Sequence, residues 1–246
     1  MAFAEGRSYV GADVAVSRRV PLSRERVLEA AVAFADGAGI EALSMRKLAD
    51  ILGVVPMALY KHVANKDELV GGMVDLVVGE IDRADGGSDW RLAIRLRVLS
   101  ARRALQRHPW AVQVIESRTT PSPPVLEYMD SIIGMFRSGG FSIDLTHHVM
   151  HAFGSRIWGF TQEVFNGTER TDPAMRVAML RELAETYPNI AEVASPPGHA
   201  VQSIGRAGCD EQFEFEFALD LLLDGFERLR EQGWTSATKR GKPSLR

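Results

Sequence analysis

The residues best suited to chemistry in this 246-residue chain lie between Ser44 and Lys66. Arg46, Tyr60, Lys61, His62 and Lys66 bracket an apolar run, Val54–Val55–Pro56–Met57–Ala58. Cations and a phenol can hold phosphate oxygens, a guanidinium can bond O6 and N7 of guanine together, and Val55, Met57 or Ala58 can meet thymine methyl groups. The block reads as two short helices. Ser44 caps the first, Leu48, Ala49 and Leu52 face inward, and Gly53 provides a left-handed stop. Pro56 opens the second, where its missing N–H costs little, and that helix runs to about His62. Helix, short turn, helix is the helix-turn-helix arrangement, whose second helix enters a DNA major groove. A helical hairpin with no nucleic acid nearby has the same two segments, and they do not by themselves separate the readings.

Elsewhere the candidates are fewer. His147 and His151 stand at i, i+4 and share a helix face, but a metal site needs a third ligand and the spacing offers none. Polar lining or surface histidine is the alternative, and neither metal nor cofactor is expected. The single cysteine, Cys209, excludes an internal disulfide and a multi-cysteine metal site, and favours a reducing, cytoplasmic setting. There is no nucleophile–base spacing and no phosphate loop, so an α-helical enzyme is the remote alternative and no catalysis is expected.

The elements that must carry these residues are helical throughout. Val27, Ala30, Ala31 and Phe34 form a stripe behind the cap Ser23, closed by Gly37 and Gly39. Asn65 and Glu68 predict a capping box for a fourth helix reaching about Asp82. Helical patterns follow over about 89–106, 109–116, 123–138, 142–166, 172–186 and 210–231, divided by Pro and Gly clusters. No run of alternating β-branched residues occurs, so the fold class is all-α. The organisation predicted is a flexible arm over 1–20, a three-helix helix-turn-helix domain over 21–66, a larger helical domain over 67–234 and a flexible tail over 235–246. The arm could lay Arg18 or Arg19 along a minor groove, or be a solvated tail.

Composition narrows the class. Apolar residues make up 46% and charged residues 25%, which excludes a disordered chain, a fibrous repeat and a disulfide scaffold. No apolar run approaches the roughly 18 residues of a membrane span, and Arg7, Asp13, Arg18 and Arg19 break up any signal-peptide core. The net charge of −3 argues against nucleic acid only until it is divided. Residues 1–66 hold nine Lys and Arg against seven Asp and Glu, and the rest holds 20 against 25. The first quarter is slightly basic and the remainder acidic.

From Leu22 to Leu69 the chain resembles the tetracycline-repressor (TetR) family of bacterial transcriptional regulators. The residues that carry the likeness are the first-helix stripe, Gly39–Ile40–Glu41–Ala42–Leu43–Ser44, Arg46–Lys47–Leu48–Ala49, Leu52–Gly53–Val54, Leu59–Tyr60–Lys61–His62–Val63 and Asn65–Lys66–Asp67–Glu68–Leu69. Arg107–His108–Pro109, Gly140–Phe141–Ser142 and the final amphipathic helix extend it to the ligand-binding domain of the tetracycline-repressor branch. The resemblance implies a homodimeric repressor that binds a pseudo-palindromic double-stranded operator and is released by a small apolar or amphipathic effector. Control by a protein partner, or activation, is the alternative. It implies that Tyr60 and Lys66 hold phosphates, that Arg46 reaches a guanine edge or a phosphate, and that Lys61 and His62 contact base or phosphate. Val55 stands near where many members carry Ser or Thr as cap and phosphate ligand, and Pro56 partly substitutes by presetting φ.

The helices over 142–166 and 213–229 are apolar on more than one side, which calls for a second packing partner. The resemblance implies that they pair with their symmetry mates through Gly154, Phe217, Leu221 and Gly225; a large monomeric core is the alternative. The effector pocket is expected among Trp110, Met129, Met135, His147, His151, Phe153, Trp158 and Glu163. Ile115 stands where a histidine of tetracycline-binding relatives helps hold the drug's magnesium, which argues against a magnesium–tetracycline ligand.

Overall fold

The computed structural model describes residues 21–83, 87, 89–157, 181–182, 185–189 and 211–237. Among the described residues all regular structure is helical. The described residues up to Met73 belong to one compact unit, and a second begins at Val74.

In the first unit, α1 (Arg24–Ala38) starts where the Ser23 hydroxyl accepts from the Arg26 amide at 3.2 Å. It buries Val27, Ala31 and Ala35 at i, i+4, i+8, with Leu28 and Val32 beside them, while Ala30 and Phe34 are half-buried. Gly37 lies inside the helix and Gly39 ends it. A 3-10 turn over Ile40–Ala42 leads to buried Leu43. Helix α2 (Met45–Leu52) is capped by Ser44, whose hydroxyl accepts from the Lys47 amide at 3.2 Å. Gly53 follows at φ 66°, ψ 36° and returns its N–H to Ala49 and Asp50 carbonyls. A Cβ at this left-handed position would meet its own backbone, so the residue type is set by the turn.

Helix α3 (Pro56–Leu59) is shorter than the pattern predicts; His62 lies in the turn after it, its amide on the Leu59 carbonyl at 2.8 Å. α1 packs on α2 and α2 on α3, over a core that includes Val27, Leu48, Ala49, Leu59 and Val63. Helix α4 (Lys66–Gly79) begins as expected at Asn65, whose Oδ1 accepts from the Glu68 amide at 2.8 Å. The Glu68 carboxylate reaches back to the Ala64 amide at 2.7 Å, one residue earlier than a standard capping box. α4 stops at Gly79, short of the expected Asp82.

The second unit contains α5 (Trp90–Arg107), α6 (Trp110–Ser117), α7 (Pro123–Ser138), α8 (Ile143–Ile157) and α9 (Glu211–Glu231). Asp89 caps α5, accepting from the amides of Arg91 and Leu92 at 2.9 and 3.1 Å. α5 packs on α7 and α9, and α8 on α7 and α9. Their shared core is aromatic. The Phe136 ring lies 5.8 Å from Trp90, 5.1 Å from Phe141, 6.1 Å from Phe153 and 6.0 Å from Phe226. The last three pairs are edge-on, and such pairs add about 0.5–1.5 kcal/mol each beyond buried area. A polar seam joins α5 to α9: Arg95 pairs with Glu216 and, at 3.1 Å, with Asp220, and Arg91 with Asp224 at 2.5 Å.

Three expectations meet the limits of the description. The arm over 1–20, most of the helix over 172–186, and the second half of 142–166 with Trp158 and Glu163 lie outside the described residues. The tail expected to be flexible from 235 is held at its start, where the Ser236 amide and hydroxyl both donate to Asp144, at 2.6 and 2.8 Å. Among the described residues no helix is long and apolar enough to cross a membrane.

Gly139 ends α7 under the Trp90 indole; a Cβ there would lie 2.5 Å from Trp90 Cγ and 2.7 Å from its Cβ. Because the atoms in the way are the stem of a buried side chain, Gly139→Ala should destabilise the second unit by about 1–3 kcal/mol through overpacking. Thermal unfolding measures this, and an unchanged midpoint would refute the close approach.

Candidate functional site

Two surfaces carry the candidate residues. In the first unit, Arg46 lies in the first turn of α2, Tyr60 and Lys61 follow α3, and Lys66 is the first residue of α4. All four are exposed. Among the described residues their side chains make no hydrogen bond or ion pair, whereas Arg24 pairs with Glu68 at 3.6 Å and Arg26 donates to the Pro21 carbonyl. Val55 and Met57 are 67% and 70% exposed, Pro56 is exposed, and Ala58 and His62 are half-buried. Val55 sits at the N-cap of α3 and provides no side-chain bond there, as its residue type dictates. The surface therefore combines unengaged cations, one phenol and a knob of apolar side chains on a single-turn helix.

The second unit carries a partly open cavity of about 630 Å³. α4 contributes Val74 and Val78, and Ile81 follows; α7 contributes Val125, Tyr128, Met129, Ile132 and Ile133; α8 contributes Ile143, Thr146, His147, Met150, His151, Phe153 and Gly154. Ile115 of α6 and the guanidinium-bearing Arg118 and Arg137 complete most of the wall. Of the residues expected in a pocket, Met129, His147, His151 and Phe153 come together here. Trp110 does not: it is buried, with its ring centre 6.3 Å from that of His108. Met135 packs against the aromatic core instead. Gly154, expected between protomers, lines the cavity, while a Cβ at Gly225 would point into open space. Phe217 and Leu221, the other two interface candidates, are 55% and 56% exposed and align with Phe213 at i, i+4, i+8 on α9.

The residues that sequence reasoning missed are the α4 wall and the arginines. A signal for the wall existed: Val74, Val77 and Val78 make that part of α4 apolar on two sides. Nothing local marks Arg118 or Arg137. The imidazoles of His147 and His151 lie 4.6 Å apart, and no group of three metal-ligating side chains forms among the described residues. Tyr128 is buried, and that burial pushes its phenol up to about 12, against the opposing pull of the Arg97 guanidinium 5.0 Å from the ring centre. It stays a neutral hydroxyl.

Behind the cavity, one face of α5 grips the chain that leaves α4. Arg97 Nη1 donates to the carbonyls of Asp82 and Ile81 at 2.5 and 3.4 Å. The Ser100 hydroxyl donates to the Asp82 carboxylate and accepts from the Asp82 amide, both at 2.9 Å. Arg103 reaches the same carboxylate at 3.2 Å. Glu80 takes Arg107 at 2.6 Å and His108 Nε2 at 3.1 Å. Arg97, Ser100, Arg103 and Arg107 recur every three or four residues, so they form one stripe on α5, and His108 is its C-cap.

Residues 27–73 match the family model for bacterial regulatory proteins of the tetR family, and residues 84–230 match the tetracyclin repressor-like C-terminal domain. The chain belongs to the TetR family. Among TetR relatives it is similar to the HTH-type transcriptional repressor DrrR1 of Streptomyces coeruleorubidus, at 32% identity over 86% of this chain and 79% of that protein. It is also similar to the class C tetracycline repressor of Escherichia coli, at 28% over 85% and 92%. In three dimensions it resembles the TetR-family protein ActR of Streptomyces coelicolor in complex with actinorhodin, with a TM-score of 0.66 and 25% identity over 85% and 98% of the two chains. The helix-turn-helix head and larger helical domain are those of TetR transcriptional regulators.

The buried phenol gives a pH dependence. Tyr128 loses its proton near pH 10 when unfolded and at about 12 when folded, so between these values the folded state holds more protons. Stability therefore falls as pH rises through that window, by up to about 1.4 kcal/mol per pH unit, and is untouched by this group below it. Tyr128→Phe should flatten the decline in urea unfolding between pH 10 and 12; equal slopes would refute the buried phenol.

Proposed function

We propose that this TetR-family chain is a homodimeric repressor of the bacterial cytoplasm that binds a pseudo-palindromic double-stranded operator and leaves it when a small apolar or amphipathic molecule fills the cavity. The observation that carries this reading is the double membership of α4. Lys66 stands at its start, where an ammonium and the helix dipole together favour phosphate, and Val74 and Val78 line the cavity further along. A ligand that binds one arrangement of that wall better than another shifts the population of α4 conformers, and by linkage changes operator affinity. DrrR1's description as a repressor and ActR's capture with actinorhodin both support the assignment. The cavity favours a small effector over control by a protein partner.

On the DNA side, Lys66 and Tyr60 hold phosphates, Lys61 and His62 contact base or phosphate, and Arg46 reads a guanine. Val55, Met57 and Ala58, with Pro56 fixing the turn, supply apolar contacts to thymine methyls. On the assembly side, the exposed Phe217 and Leu221 pair with a second copy, and Gly225 lets the helices approach. Two heads about 34–36 Å apart would then meet successive major grooves.

Selection of bound fragments from a random DNA pool should return an inverted repeat; the absence of any enriched sequence would sink the reading. Lys66→Ala should weaken binding to every sequence and reduce the log–log salt slope by about 0.9. Arg46→Ala should alter preference at one base pair, by about 1–3 kcal/mol. An unchanged salt slope, or an unchanged preference profile, would remove the respective role. The double substitution Phe217→Asp, Leu221→Asp should yield monomers in sedimentation equilibrium and abolish operator binding, and a dimer that persists would relocate the interface.

A further inference from the structure

The cavity carries more information than its size. Its wall is apolar along α7 from Val125 to Ile133, yet arginines stand at both ends of that helix. Arg118 precedes α7, and Arg137 lies in its last turn. At 1.5 Å per residue the lining from Val125 to Arg137 extends over about 18 Å.

Charge sets the second requirement. The lining holds two guanidiniums and no carboxylate. The Ser122 hydroxyl, also in the lining, donates at 2.5 Å to Asp75, whose carboxylate stands outside it. Arg118 and Arg137 each have an intramolecular contact, that of Arg137 being one N–H donated to the Phe141 carbonyl, and a guanidinium has five donors to place. The remaining polar lining, Tyr128, Thr146, His147 and His151, offers hydrogen-bond donors as well. Arg137, His147 and His151 lie on the exposed part of the wall; a cationic ligand would face like charges there, whereas an anionic oxygen meets a guanidinium fork.

We propose that the effector is an elongated apolar acid whose carboxylate or ionised phenol is held by Arg118 or Arg137 while its body lies along α7. This rests on the cavity being the effector site. Neither the family likeness nor the names of the relatives assigns either arginine a role.

The probe pair 1-pyrenebutyrate and 1-pyrenebutanol tests it, because the two differ in charge and share an apolar fluorescent body. Fluorescence titration of the full chain should show the acid binding about 10–100-fold more tightly, the range expected of one charge-assisted contact. Arg118→Met or Arg137→Met should erase that preference in at least one case, and the alcohol should bind each variant as it binds the parent chain. Alcohol affinity thus reports that the variant cavity is intact. Alcohol binding equal to or tighter than acid binding in the parent chain would overturn the proposal and leave the pocket reading standing. An acid preference that survives the double substitution would overturn the arginine assignment. If neither probe binds, the cavity is not an effector site for molecules of this kind, and the pocket reading falls together with the proposal.

Discussion

Arg97 is a guanidinium in the interior of a helical domain, and its burial lowers its affinity for its proton. It keeps the proton because arginine does not deprotonate under working conditions, so the charge must be met. What meets it is the end of α4: the carbonyls of Ile81 and Asp82, where the chain has left the helix and its acceptors have no helical partner. The Tyr128 ring covers the guanidinium, and Arg97 Nε is buried without a hydrogen-bond partner among the described residues. Ser100, Arg103, Arg107 and His108 extend the same grip along α5. A buried cation is costly to leave unsatisfied, so the segment 80–82 cannot drift from α5 without a penalty of several kcal/mol. Ile81 and Tyr128 both belong to the cavity wall, which makes the grip and the cavity one mechanical object.

That constraint explains which parts were legible in the sequence. Ser23, Ser44, Gly53 and Pro56 act on their own backbone within a few residues, and each does in the structure what its type and position imply. The grip joins residues 15 to 28 positions apart, and no local pattern distinguishes Arg97 or Ser100 from the surrounding helix. The end of α4 departs from its sequence pattern for the same reason: the helical pattern runs on through Ile81, but α5 draws the Asp82 backbone into side-chain bonds instead. The held start of the tail follows this rule too, since the Asp144 carboxylate that binds Ser236 lies 92 residues away. Trp110 was assigned to the pocket on residue type, whereas its burial beside His108 is a matter of packing.

The DNA-facing side is governed by a different economy. α3 has four residues, too few to persist alone, because helix nucleation is unfavourable. Its geometry is therefore imposed by Leu59 and Val63, both buried, and by the Gly53 turn. Burial of those two anchors leaves Val55 and Met57 pointing outward with no intramolecular use. The unit thus spends its apolar residues in two ways: some fix the helix, and others, at a cost in solvent, are left for a partner surface.

Under the proposed function, release of an operator would demand more of the cavity than tight binding. A ligand held equally well by both arrangements of the wall shifts nothing, and moving the population from 1:99 to 99:1 takes about 5.5 kcal/mol of differential affinity. Apolar contact along α7 alone discriminates poorly, since a sliding body finds similar neighbours in either state. A guanidinium at a fixed end is different: charge-assisted bonds fail over a displacement of about 1 Å. An acid anchored at Arg118 or Arg137 would set its body in one register against Val74, Val78 and Ile81. Because α5 holds the chain just beyond Ile81, a mismatch in that register would fall on the part of α4 that lines the cavity, at Val74 and Val78.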